Sequence, residues 1–186
     1  MFRLLYFILL LFIVFSCDKK KHIRKYSIPK VISEFPKEKN KTDSTKNLKF
    51  SWIAPDHWVL GKESSMRIGS YQIPYENKIA DLSITFFKGD GGGLLQNINR
   101  WRGQLNLEPA SLSEINNLVY IGNSSIGEYR MYKIFNLEQP NRAFLCFIVS
   151  LDGSTLFLKL DCSINGIEIL ENDMKNFMGS FEYVNE

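Results

Sequence analysis

AFLCFIVS (143–150) and STLFLKLD (154–161) stand on either side of Leu151-Asp152-Gly153, and this arrangement decides the fold. Asp-Gly is a favoured two-residue turn between antiparallel strands. It pairs Leu151 with Ser154, Val149 with Leu156, Phe147 with Leu158 and Leu145 with Leu160, and sets Cys146 opposite Lys159. Both runs are nearly continuous in apolar residues instead of alternating, as expected of strands covered on both faces. Counting by twos places Cys162 on the face of Leu156, Leu158 and Leu160, and Cys146 on the other. Cys146 and Cys162 are therefore expected as buried free thiols with no disulfide between them, even in an oxidising compartment.

After the hairpin, Ile167, Leu170, Met174, Phe177 and Phe181 recur at spacings of three and four, which predicts an amphipathic closing helix. Its last turn passes into an extended Phe181-Glu182-Tyr183. Before the hairpin, Leu118–Ile121 and Gly127–Leu137 read as strands around a Gly-Asn-Ser-Ser turn, with a short helical turn over Ser111–Asn117 ahead of them. Leu94, Ile98, Trp101 and Leu105 share one helical face; Asp90 is a candidate cap and Gly103 a candidate terminator. Met66–Ile73, closed by Pro74, and Ile79–Phe87 form a further hairpin, and Phe50–Ala54 is a strand that stops at Pro55. The fold class is thus α+β, an antiparallel sheet of about six to seven strands covered by two main helices.

Phe50 to Trp58, the mid-chain helix, and Met174-Lys175-Asn176-Phe177-Met178-Gly179-Ser180-Phe181 resemble the PsbP-like fold, named for an extrinsic photosystem subunit. Gly92-Gly93-Leu94-Leu95 followed by Asn97 to Leu105 also resembles a group of uncharacterised bacterial exported proteins with this layout. The resemblance covers about residues 48–184. It implies a PsbP-like domain in a fold whose members are mostly non-enzymatic accessory, assembly or lipoprotein components.

The N-terminus addresses location. Arg3 precedes an unbroken apolar run, Leu4 to Phe15, of signal-peptide length and too short to span a bilayer as a finished helix. Val14-Phe15-Ser16-Cys17 then resembles a bacterial lipobox, which implies cleavage before Cys17 and acylation of its sulfur. Three segments follow: a lipoprotein signal peptide (1–16), a lipidated basic tether (17–47) and a single domain (48–186). Residues 18–47 hold ten Lys or Arg against four Asp or Glu, whereas residues 48–186 hold twelve against sixteen. The domain is mildly acidic and lacks the basic surface that nucleic acid requires. The basic excess beside the lipid either strengthens attachment to an anionic bilayer or keeps the tether soluble. Asp18 directly after the cysteine resembles the inner-membrane retention signal of enterobacterial lipoproteins, placing the protein on the outer face of the cytoplasmic membrane.

Chemistry-bearing patterns are few. The run Gly91-Gly92-Gly93 before a helix offers free N–H groups and the positive end of a helix dipole to an anion, with Asn97 and Arg100 adjacent on the exposed side and Lys88 and Arg102 adding charge. No Gly-Lys-Ser/Thr ends the run, so it is not a P-loop, and a plain strand-to-helix linker fits it as well. The histidines, His22 and His57, lack the partners of a zinc set, and no cofactor is expected. No catalytic residue is assigned. The functional expectation is a lipoprotein bound to the bilayer through acylated Cys17, with a binding or assembly-accessory domain for a protein partner or small ligand. The alternative is a hydrolase or transferase using the glycine-rich loop and its helix as an anion or substrate site.

Overall fold

The computed structural model describes residues 50–184. The expected signal peptide, the expected lipidation site Cys17, the expected tether and His22 lie outside the described residues. Among the described residues, nine strands and three helices follow in the order β1 (Phe50–Ser51), β2 (Val59–Leu60), β3 (Arg67–Tyr75), β4 (Lys78–Lys88), α1 (Leu94–Gln104), α2 (Leu112–Asn117), β5 (Tyr120–Ser124), β6 (Gly127–Phe135), β7 (Ala143–Leu151), β8 (Ser154–Cys162), α3 (Ile164–Gly179) and β9 (Glu182–Tyr183). Seven strands form one antiparallel sheet in the order β2-β3-β4-β8-β7-β6-β5, and β1 pairs with β9. This is the expected α+β architecture.

The central hairpin has the register that the Asp-Gly turn dictates, from Leu151↔Ser154 to Leu145↔Leu160, with Cys146 opposite Lys159. Its apolar runs divide by parity between two cores. Ala143, Leu145, Phe147 and Val149 join Leu156, Leu158, Leu160 and Cys162 under α3, while Phe144, Cys146, Ile148 and Phe157 pack under α1 and α2. On the first side the closing helix contributes Ile167, Leu170, Met174 and Phe177, and Phe181 continues the stripe just past its end. On the second, α1 contributes Ile98 and Trp101, followed by Leu105. Covering both faces removes the need for alternation.

Several boundaries differ from the sequence reading, each for a local reason. β3 runs through Pro74 to Tyr75, and Pro74 pairs with Ile79. From the two-residue turn at Tyr75↔Lys78, alternate residues of β3 face β4, so Pro74 turns its nitrogen the other way, past the end of β2, where no ladder bond is lost. The β5–β6 turn is Ser125-Ile126, and Gly122 and Asn123 belong to β5. Ile126 is buried in the α3-side core, and the Ser125 hydroxyl donates to the carbonyl of Phe181, so packing places the turn. A Cβ on Gly122 would lie within 3 Å of the Tyr129 ring, which accounts for a glycine inside that strand.

Gly103 lies inside the last turn of α1 and does not end it. The left-handed position after the helix falls to Asn106, φ 55°, with Leu107 N–H bonded to Arg102 C=O and Asn106 N–H to Gly103 C=O. That pair of bonds is a Schellman ending with asparagine in the usual glycine place. α2 begins at a capping box, in which Ser111 accepts from Glu114 N–H and the Glu114 carboxylate accepts from Ser111 N–H. β2, two residues long, was not expected as a strand, whereas β9 is the extended Glu182-Tyr183 read after the closing helix.

Candidate functional site

The glycine-rich loop joins β4 to α1, and it is built around one asparagine. Gly89, Gly91, Gly92 and Gly93 all have positive φ, between 62° and 91°, a run that side chains would resist. The Asp90 carboxylate accepts from Gly92 N–H at 3.0 Å, and Gly93 N–H bonds to Asp90 C=O. Asn97, one turn into the helix, reaches back and donates to the carbonyls of Gly91 (3.0 Å) and Gly93 (2.7 Å). Its own carbonyl oxygen accepts from Arg100 Nη2 at 2.7 Å. The loop's other end is tied to the central hairpin, since Gly89 N–H meets Gly153 C=O and the Thr155 hydroxyl donates to Gly89 C=O.

The expected neighbours Gly91, Gly92, Gly93, Asn97 and Arg100 are therefore brought together, but Asn97 is not on the exposed side. It is 4% exposed, because closing the loop's carbonyls draws it under the chain. Asp90 organises the turn, whereas the N-cap of α1 is Gly93, which has no side chain to offer. Chemically, this end presents a helix terminus with a carboxylate, Asp90, in the loop and a guanidinium, Arg100, one turn further along the helix, a mixed set of charges for an anion. Arg102 points elsewhere, its Nε donating to Glu108 C=O. Asn99 exchanges two hydrogen bonds with the main chain of Ala110, at 3.0 and 2.8 Å. Both residues hold the link to α2, a role that helical spacing alone did not reveal.

Cys146 and Cys162 are free, buried and on opposite faces of the sheet. Burial pushes the Cys162 thiol up to about 12 and the Cys146 thiol further still. Neither is poised as a nucleophile. In the native protein at pH 8 neither thiol is expected to react with Ellman's reagent, and both should react on unfolding in urea. A fast-reacting thiol in the native state would contradict this burial. Because the folded thiols keep their protons above the ordinary value of 9.0, their contribution to stability is present below pH 9 and declines as pH rises toward 12.

Other charged groups are spent on structure. Glu171 on α3 bridges Lys133 (2.6 Å) and Lys175 (2.8 Å), and these bonds hold its carboxyl below the usual range. Lys159 donates to Gln104 Oε1 and lies 3.7 Å from the centroid of Phe144. Its partial burial lowers its ammonium pKa. His57 stands in the turn closed by Trp58 N–H to Pro55 C=O. Among the described residues no group of His, Cys, Asp and Glu is arranged to hold a metal ion. Among the described residues, too, no helix is long and apolar enough to cross a membrane.

No protein-family profile and no curated protein matches the chain. Among solved structures, LpqN, involved in cell envelope biogenesis of Mycobacterium tuberculosis, is similar with a TM-score of 0.51 and 12% identity, over 77% of this chain and 88% of that one. The cyanobacterial PsbP (CyanoP) of Synechocystis sp. PCC 6803 gives a TM-score of 0.44 and 12% identity, over 73% and 86%. At such identity the likeness to LpqN is one of fold, and the chain is an α+β protein built on that architecture.

Proposed function

We propose that this chain is an accessory lipoprotein of the bacterial cell envelope, held to the outer face of the cytoplasmic membrane by acylated Cys17 and acting by binding, without catalysis. The observation that carries the reading is the sequence Leu4 to Cys17, an export core closed by Ser-Cys and followed at once by a polar, basic tether. The fold shared with LpqN, a protein of envelope biogenesis, supports it. So does the way these side chains are used: Asp90 and Asn97 bond to the loop's main chain, and Arg100 bonds to Asn97.

Mass spectrometry of membrane-extracted protein is the test. The expected N-terminal peptide begins at Cys17 and carries a diacylglyceryl group on sulfur, and Cys17→Ser shifts the protein out of the lipidated pool. An unmodified thiol at Cys17 with residues 1–16 still attached would overturn the anchor. Cross-linking in intact cells then addresses the accessory role, with a discrete adduct to another envelope protein expected.

A further inference from the structure

The sheet ends on one side in β5, which is shorter than the strand it covers. Its register runs from Ser124↔Gly127 to Tyr120↔Met131, whereas β6 continues to Phe135. Ahead of Tyr120 the chain passes back through Val119 and Leu118 to α2. Residues 132–135 thus have β7 on one side and, among the described residues, no strand on the other.

Which main-chain groups face that open side follows from two separate counts. A two-residue turn joins a hydrogen-bonded pair, and such pairs recur every second residue. From the turn at Ser124↔Gly127, residues Gly127, Tyr129 and Met131 face β5, so Lys133 and Phe135 face the same way beyond its end. From the turn at Leu151↔Ser154, the odd residues of β7 face β8 and the even ones face β6, where their partners are Arg130, Tyr132 and Ile134. Both counts leave the N–H and C=O of Lys133 and Phe135 directed away from β7. Among the described residues no loop or turn hydrogen bond reaches them.

Against this edge lies a cavity of about 160 Å³, lined by Ile98 and Arg102 of α1, by Ile115 and Leu118, and by the four consecutive residues 132–135. Side chains of a strand alternate between faces, so a cavity touching four in a row opens on the strand's edge. Tyr132, on its wall, is 3% exposed, and its hydroxyl has no hydrogen-bond partner among the described residues. Leu118 beside the cavity is 64% exposed.

We infer that this edge is a docking site for an extended peptide segment of a partner protein, which adds a strand to β6 through Lys133 and Phe135 and places one apolar side chain in the cavity. An outward-facing N–H and C=O at every second residue is matched by another extended main chain, and pockets beside such an edge select its side chains. The volume is close to that of an engineered cavity of ~150 Å³ that accepts benzene, which is room for one large apolar side chain. Arg102 on the wall favours an acidic residue next to it. The inference rests on the domain acting by binding and is independent of the anchor.

The test pans the full-length chain in detergent against a phage-displayed random nine-residue library, with enriched peptides then synthesised. They are expected to share an apolar position with an acidic neighbour and to slow hydrogen exchange of the 132–135 segment. Lys133→Pro removes an N–H that the sheet does not use, a change tolerated on an open edge. It should weaken binding about tenfold, the effect of one lost main-chain bond. Lys133→Gln, which removes only the charge paired with Glu171, should leave binding within about twofold. Thermal unfolding checks each variant; if Lys133→Pro does not fold, Leu118→Asp at the exposed mouth takes its place with the same loss expected. Failure of any peptide to enrich, protection confined to another segment, or unchanged binding in the edge variants would overturn the proposal. So would a dimer formed through this edge. Peptide binding that persists with an unacylated Cys17 would sink the anchor and leave the docking site standing.

Discussion

Phe177→Ala is expected to destabilise the domain by about 3–5 kcal/mol, the range for removing a fully buried aromatic ring. Phe177 is 2% exposed, and its ring centroid lies 4.8 Å from that of Trp58, 5.9 Å from Tyr71 and 5.3 Å from Phe181. These partners come from the loop before β2, from β3 and from the segment after α3. The one ring therefore joins the closing helix to the start of the domain, and collapse of the cavity would require three separate segments to move together. Urea unfolding followed by tryptophan fluorescence measures the loss, and Trp58 should report a changed environment even in the folded variant. Ile169→Ala on the same helix, at a residue 43% exposed, is expected to stay within about 0.5 kcal/mol. A loss below about 1 kcal/mol for Phe177→Ala would mean that the two ends of the domain are not packed on α3 as described.

The register of the central hairpin was legible because an Asp-Gly turn leaves one pairing, and the parity of its apolar runs then assigned both cysteines to their faces. The two main helices were legible from period alone. What was missed depended on contacts that period does not carry. Asn97 lies beside the apolar stripe of α1, and helical spacing alone sets it in solvent; it is buried because two carbonyls of the preceding loop need donors. An asparagine four residues after the last glycine of such a loop is the available signal. Pro74 was read as a strand end, since the side to which its nitrogen turns depends on the length of β2, two residues with no pattern of their own. The open edge of β6 was invisible for the same reason, because it exists only where β5 stops and α2 begins. In each case the sequence specified an element and the tertiary neighbours specified its end.

The second large effect is expected at Gly91, and it separates structural from ligand-binding reasons for the glycine run. Gly91 and Gly89 have similar positive φ, 62° and 71°, so alanine at either incurs about 1–2 kcal/mol of left-handed strain. They differ in their surroundings. A Cβ at Gly91 would stand 2.5 and 2.7 Å from two atoms of the Phe157 ring, whereas one at Gly89 meets nothing within 4 Å. Phe157 cannot easily yield, since it is 4% exposed and held edge-to-face by Phe87 and Trp101. Overpacking a filled core adds about 1–3 kcal/mol, so Gly91→Ala should be the less stable variant by about that difference, with an unchanged urea slope. Phe157→Leu combined with Gly91→Ala should recover part of the loss, as coupled neighbours do. Equal stabilities for Gly89→Ala and Gly91→Ala would show that the ring moves aside, and the close approach would then not explain the glycine. If the difference is found, loss of an anion from Gly91→Ala would report the fold and not the site, and the anion reading must be put to Arg100→Gln instead. Arg100 is exposed and bonds only to the amide of Asn97 among the described residues, so its replacement leaves the loop's carbonyls in place. Binding of inorganic phosphate that survives in Arg100→Gln would show that Arg100 holds no anion at this end of the helix.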